Sequence, residues 1–276
     1  MALSTTTQQS PAPGGDDSQE SLGTLIQDAG MSLDGDQLRQ LAMYRELLFT
    51  SNQTTNLTAV RDLAGIERRL ILESLRLVAP LRDLHGVDSS SRRSLIDLGT
   101  GGGLPGLVLA IVCPEFSVFL LDATGKKVAF LDHVAQALGL TNTTTIHARA
   151  EEIGHQPRYR NAFDVVSARA VATLPALLEL GLPLLRTGGH LLLPKGTMID
   201  DELAAAHRAA TILGGEIVSA DLLPDAGSTV ETRLVIARKR SPTPAAYPRR
   251  TGIPSKSPLG VDVPGNGLGR RGRDPS

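Results

Sequence analysis

The sequence predicts an α/β fold: a doubly wound, mostly parallel seven-stranded sheet preceded by a helical N-terminal extension. Three observations carry this. From Ser94 onward, short apolar runs alternate with stretches of helical periodicity, which places helices on both faces of parallel strands. The first apolar run ends in a glycine-rich turn, "DLGTGGGLPG" (Asp97 to Gly106), that opens onto a second apolar stretch at helical spacing. The last two strand-like runs are joined by "PDAGS", too short for a helix, so they must pair antiparallel.

Taken in order, residues 1–20 are rich in Ser, Thr, Gln, Pro and Gly without Lys or Arg, the composition of a disordered leader and not of a signal or transit peptide. Helices are expected at Leu22 to Ala29, Asp36 to Thr50 and about Leu63 to Val78. In the second, Leu38, Leu41, Ala42, Arg45 and Leu48 share one face. These make a helical extension over 21–90, closed by the polar break "HGVDSSSRR". The main domain, 91–240, reads as strand Leu95 to Leu98, helix Leu104 to Val112, strand Ser117 to Leu121, helix Lys127 to Leu138 and strand Thr143 to His147. Strand Phe163 to Ser167, a helix near Leu174 to Leu184, strand His190 to Leu193 entered through Gly188-Gly189, and helix Asp201 to Leu213 follow; strands Glu216 to Leu222 and Thr232 to Lys239 end it. Residues 241–276 form a basic Pro/Gly-rich tail expected to be extended or coil. There is no internal repeat.

Charge is polarised along the chain. From Arg238 to Ser276 there are nine basic and two acidic residues, although the whole chain carries a net charge of −1. Such a tail suits a phosphate backbone, or serves only to solubilise. A hydrophobic content of 41% with 21% charged residues is ordinary for a soluble globular protein. No apolar run reaches the roughly 18 residues that argue for a membrane span. The single cysteine, Cys113, lies in a helix pattern and reads as a buried thiol, so no disulfide is possible within the chain and a reducing cytoplasm is expected. No metal is expected. His133, His147, His155, His190 and His207 are scattered and form no acid/base constellation.

The glycine turn admits two ligands. Gly101, Gly103 and Gly106 fit the dinucleotide fingerprint, in which a pyrophosphate rests on the following helix. That match is displaced two residues into the loop, because the glycine directly after the strand is Gly99. Counted from the strand end, Asp97-x-Gly99-x-Gly101-x-Gly103 suits S-adenosylmethionine, which has no phosphate and carries a cationic sulfonium and an ammonium group. Asp122 ends the next strand, where a carboxylate can accept from ribose hydroxyls or merely cap the helix after it. The hairpin finish and the Gly188-Gly189 entry also favour the methyl donor over a nicotinamide cofactor.

The chain resembles the bacterial 16S ribosomal RNA guanine-N7 methyltransferases, the RsmG or GidB family. The resemblance runs from about Tyr44 to Leu259 through "NLTAVRD", "DLGTGGGLPG", "LLDATGKKVAFL", "RAEE", "FDVVSARA", "LPKG" and "YPRRTGIPSKSPL". It implies a Rossmann-like class I methyltransferase in which Gly99 and Leu104 line the cofactor loop, Ala150 and Glu151 meet the adenine end, and Arg169 stands on the cofactor and target side. The chain departs from the family at Ser51-Asn52, Leu70, Glu73, Gly102 and Ala123.

The resulting cofactor set is Asp97, Gly99, Gly101, Gly103, Leu104, Asp122, Ala150, Glu151 and Arg169. Arg169 and Lys195 are the catalytic candidates, and Lys126, Lys127, Arg249, Arg250 and Lys256 the RNA contacts. Guanine N7 has a lone pair and no proton at neutral pH, so its methylation needs alignment rather than a general base. The expected partner is ribosomal RNA or the small ribosomal subunit, with a guanine of the 530-loop region as the target that the resemblance implies; no membrane partner and a monomeric state are expected. The alternatives are a methyltransferase of the same fold with another substrate, a NAD-dependent oxidoreductase, and a non-catalytic RNA-binding protein.

Overall fold

The computed structural model describes residues 16–84, 93–169, 172–224 and 231–261. The seven-stranded sheet is present, in the order β3-β2-β1-β4-β5-β7-β6. The chain enters through helix α1 (Asp16–Asp28) and helix α2 (Gly35–Asn52). Asp34 starts α2 with a capping box: its carboxylate accepts from the Gln37 backbone N–H at 2.8 Å while its own N–H donates to the Gln37 side chain. The third expected helix is broken into α3 (Leu63–Gly65), a π-helical turn (Ile66–Ile71), α4 (Leu72–Leu75) and α5 (Val78–Asp83).

The main domain then alternates β1 (Arg93–Leu98), α6 (Gly106–Val112), β2 (Phe116–Asp122), α7 (Gly125–Ala137), β3 (Thr143–His147), α8 (Ala150–Ile153) and β4 (Phe163–Ala168). It continues with α9 (Leu174–Gly181), β5 (Leu185–Gly196), α10 (Asp200–Ile212), β6 (Gly215–Leu222) and β7 (Thr232–Lys239). Strands β1 to β5 are parallel, and β7 runs antiparallel to both β5 and β6. The expected hairpin therefore folds back so that the last strand lies inside the sheet and β6 takes the edge.

Alternation along the strands sorts side chains to the two faces. Leu95 and Val165 join the core under α2, the π turn and α6, whereas Ile96, Leu98 and Val166 join the core under α9 and α10. Several boundaries differ from the sequence reading. Helix α6 begins at Gly106, with Pro105 as its N-cap, and not at Leu104. Strand β5 starts at Leu185, five residues before the expected His190, because Gly188 at φ +88° lets the chain pass its turn without leaving the sheet. The tail is not coil throughout: residues 241–261 pack back on the domain and include α11 (Ile253–Lys256). Helix α1 begins inside the segment read as leader. Residues 1–15, 262–276 and most of "HGVDSSSRR" and "PDAGS" lie outside the described residues.

Among the described residues no helix is long and apolar enough to cross a membrane.

Candidate active site

Register brings the site together. Leu98 of β1 is level with Leu121 of β2 on one side and Ala168 of β4 on the other. The next residue in each strand, Gly99, Asp122 and Arg169, therefore emerges at the same edge, and Asp122 pairs in turn with His147 of β3, just ahead of Ala148 to Glu151. This edge is the carboxyl end of the parallel strands, beside the point where strand order reverses between β1 and β4, the usual ligand position in such sheets. A cleft of about 400 Å³ opens there, walled by Leu98, Gly99, Leu121, Asp122, Ala123, Thr124, Lys127, Ala148, Arg149, Ala150, Glu151, Arg169, Leu180 and Ser255.

The glycine turn takes its shape from buried groups beneath it. Gly99, Gly101 and Gly103 have φ of 62°, 59° and 99°, conformations in which a side chain is strained. Asp97 lies under the turn with no exposed surface, accepting from the Gly106 N–H at 2.9 Å and from the Ser167 hydroxyl at 2.7 Å. Burial raises its carboxyl above the usual range, and these hydrogen bonds oppose the rise. Asp97 thus stands outside the cleft walls, and it shapes the loop where the sequence reading made it a cofactor ligand. Gly106 is a close-packing residue, since a Cβ there would overlap Leu120. From the opposite side the buried Tyr44 of α2 donates its hydroxyl to the Gly102 carbonyl at 2.8 Å.

Asp122 faces both ways. Its Oδ2 accepts from the Gly101 N–H at 3.0 Å and its Oδ1 from the Thr124 N–H at 2.8 Å, so it holds the glycine turn and the start of α7 while lining the cleft. An ionised carboxylate has about four acceptor sites, which leaves capacity for a ligand. Lys127 Nζ lies 4.0 Å from Asp122 Oδ2.

Arg169 is held from the N-terminal extension: its Nη1 donates to the Leu70 carbonyl in the π turn at 3.4 Å. Burial lowers its pKa, and the nearby Tyr44, Asp97 and Glu73 draw it back up. The departures from the family pattern have structural partners. Asn52 accepts from the Leu57 and Thr58 N–H groups and donates to the Val60 carbonyl; Glu73 is buried against Arg76 at 2.6 Å.

Of the residues expected from sequence, Gly99, Asp122, Lys127, Ala150, Glu151 and Arg169 share the cleft. Lys195 does not: its ammonium donates to the Ala172 carbonyl at 3.1 Å and lies 3.4 Å from Glu202, because β5 carries it toward the first turn of α10. Gly101, Gly103 and Leu104 shape the turn behind the wall. Lys126, Arg250 and Lys256 are exposed beside it, but the Arg249 guanidinium is spent on Glu179 at 2.7 Å. Sequence reasoning missed Ser255 and Tyr44, which reach the site from segments far away in the chain. Among the described residues no group of His, Cys, Asp and Glu could hold a metal ion.

Comparison with known proteins places the chain in a family. Residues 37–226 match the GidB family model, described as rRNA small subunit methyltransferase G. A relative from Roseiflexus castenholzii with the name ribosomal RNA small subunit methyltransferase G is 45% identical over 230 residues, covering 83% of this chain and 95% of the relative. Relatives of the same name from Desulfitobacterium hafniense and Staphylococcus carnosus are 39% and 35% identical, spanning 87% and 85% of this chain and 98% and 95% of their own lengths. With a family match over most of its length and such relatives spanned almost end to end, the chain belongs to the GidB family of small subunit rRNA methyltransferases.

Proposed function

We propose that the protein transfers the methyl group of S-adenosylmethionine to N7 of one guanine in 16S ribosomal RNA. The observation that carries this is the cleft itself: carboxylates at the end of β2 (Asp122) and in α8 just after β3 (Glu151), apolar walls (Leu98, Leu121, Ala148, Leu180) and a largely buried guanidinium (Arg169) meet at one sheet edge. That donor set fits the cofactor. Asp122 and Glu151 suit ribose hydroxyls and an ammonium, the apolar walls suit an adenine, and Arg169 suits a carboxylate. When bound, S-adenosylmethionine supplies an electrophilic methyl group.

The chain's own contribution is to bind, orient and exclude water. Gly99 lets the backbone approach the ligand, and Tyr44, Asp97 and Asp122 hold the turn that contains it. None of the described histidines lines the cleft, and attack by a guanine N7 lone pair requires no proton acceptor. Lys126, Arg250 and Lys256, exposed near the cleft, would position RNA through its phosphates without reading sequence. We take residues 91–240 as the catalytic core, 21–90 as the substrate-side extension, a monomer as the working unit and the cytoplasm as its place.

Calorimetry with S-adenosylmethionine and with NADH tests the cofactor: binding of the first alone is expected, and tight NADH binding would overturn the reading. Reverse-transcription mapping of N7-methylguanine in ribosomal RNA, with and without the gene, tests the substrate. Loss of one modified guanine is expected, and an unchanged pattern refutes the RNA assignment.

A further inference from the structure

The segment that follows β7 does not trail away from the domain; it is fastened across α8 and α9 and ends on the cofactor cleft. Arg160 secures its beginning by donating to the carbonyls of Thr243 and Tyr247, each at 2.8 Å. Pro248 lies against Gly154, where a Cβ would come within 2.7 Å of its ring, and the Pro248 carbonyl meets His155 Nε2 at 2.7 Å. Next comes Arg249, whose partner is the carboxylate of Glu179 on α9, a side chain with no exposed surface. Both oxygens are engaged: Arg249 Nε donates to Oε1 at 2.9 Å, Nη2 to Oε2 at 2.7 Å, and the Arg249 backbone N–H to Oε1 at 2.8 Å. The same Nη2 also donates to the Ser257 carbonyl at 2.8 Å, so one anchor ties both ends of the stretch from Arg249 to Ser257.

Between those ends the chain touches the cleft twice. Gly252, at φ +81°, donates its N–H to Glu151 Oε1 at 2.9 Å, and Ser255 forms part of the cleft wall. Burying an ion pair is a weak route to stability, because desolvation offsets the attraction. A planar two-point contact fixes position instead. Its effect here is to set where Glu151 and Ser255 stand.

We propose that residues 249–257 form a strap that is the outer wall of the S-adenosylmethionine site, with Glu179 and Arg249 as its positioning residues. This rests on the cofactor reading above and deepens it. Arg249, expected from sequence to grip RNA, serves the cofactor through Glu151 and Ser255.

Calorimetric titration of the full chain with S-adenosylmethionine, with thermal melting and an RNA filter-binding assay alongside, tests it. Absence of binding by the wild type would overturn the cofactor reading and the strap with it; binding by the wild type makes the variants informative about the strap alone. Ser255→Phe places a ring in the wall at an exposed position without touching the anchor, and Arg249→Ala releases the strap. Each is expected to weaken cofactor binding about tenfold or more. Ser255→Phe should keep the wild-type melting temperature, and Arg249→Lys should recover part of the affinity. RNA affinity should stay within about twofold, since neither change removes an exposed phosphate contact. Wild-type cofactor affinity in Ser255→Phe, with the protein folded, overturns the proposal. So does a loss of RNA affinity in Arg249→Ala with cofactor affinity intact, which would return Arg249 to the RNA.

Discussion

Asp122 stands at once on the cleft wall and at the start of α7. It accepts from the Thr124 N–H just ahead of α7, it lines the cleft, and it also holds Gly101. Asp122→Ala should therefore weaken S-adenosylmethionine binding by about tenfold or more and lower the melting temperature slightly, since two part-buried N–H groups lose hydrogen bonds worth about 0.5–1.5 kcal/mol each. Tyr44→Phe removes only the donor to Gly102, so a stability loss of about 1–3 kcal/mol in urea melts is expected with a smaller change in affinity. Lys239 gives a pH signature. Its ammonium is wholly buried between the Leu182 carbonyl at 2.6 Å and Asn161 at 3.1 Å, and burial, helped by the Arg160 charge, lowers its pKa from 10.5 to about 8. Between those values the unfolded chain holds the extra proton, so this residue's contribution to stability rises with pH from about 8 to 10.5 and is flat below. The stability of the wild type relative to Lys239→Met in urea denaturation should rise across that range. At this scale the legible residues were those whose position follows from a strand end: Gly99, Asp122, Glu151 and Arg169. Lys195 also ends near such an edge, but its direction depended on Glu202, an acid on α10 that the pattern of β5 does not contain.

The N-terminal extension is stitched to the far end of the sheet by one buried pair. Arg76, just after α4, meets Glu73 at 2.6 Å and donates to the carbonyls of Leu223 and Pro224, each at 2.9 Å, while Thr232 of β7 donates to Glu73 at 2.7 Å. Arg76→Ala leaves the Glu73 charge buried without its cation, so a loss of about 3–5 kcal/mol is expected in denaturant unfolding. Its failure to appear would mean that the extension is held by apolar packing alone. The π turn just before α4 has a second use: its extra backbone width places the Leu70 carbonyl against Arg169. A helix over this stretch was legible from its apolar spacing. The π turn was not, because an inserted residue leaves the local composition unchanged and shows only in which carbonyls face out. The boundaries of β5 went astray for a related reason, as glycines that usually end a strand here lie within one.

For the molecule as a whole, the doubly wound sheet and its antiparallel ending were readable because connection length alone separates parallel from antiparallel neighbours. The place of β7 inside the sheet was not, since a short loop permits a last strand on either side of its partner. The tail misled in a different way: its charge was read as one unit, yet residues 241–261 belong to the folded domain and its contacts. Deletion from Arg238 would remove the end of β7, so the informative truncation is of residues 262–276, with Arg270, Arg271 and Arg273. That truncation should leave the melting temperature and cofactor affinity intact and reduce RNA affinity most at low salt, lowering the slope of log K against log salt by about 2 to 3. An unchanged slope would make those arginines bystanders. The interior position of β7 also orders events during synthesis. Strand β6 pairs with β7 alone, and the β5 edge is completed by β7, so neither is settled until residue 239 has been made. The strap follows later still. A nascent chain emerging from a translating ribosome therefore carries its glycine turn well before the 249–257 segment that supplies Ser255 to the cleft wall.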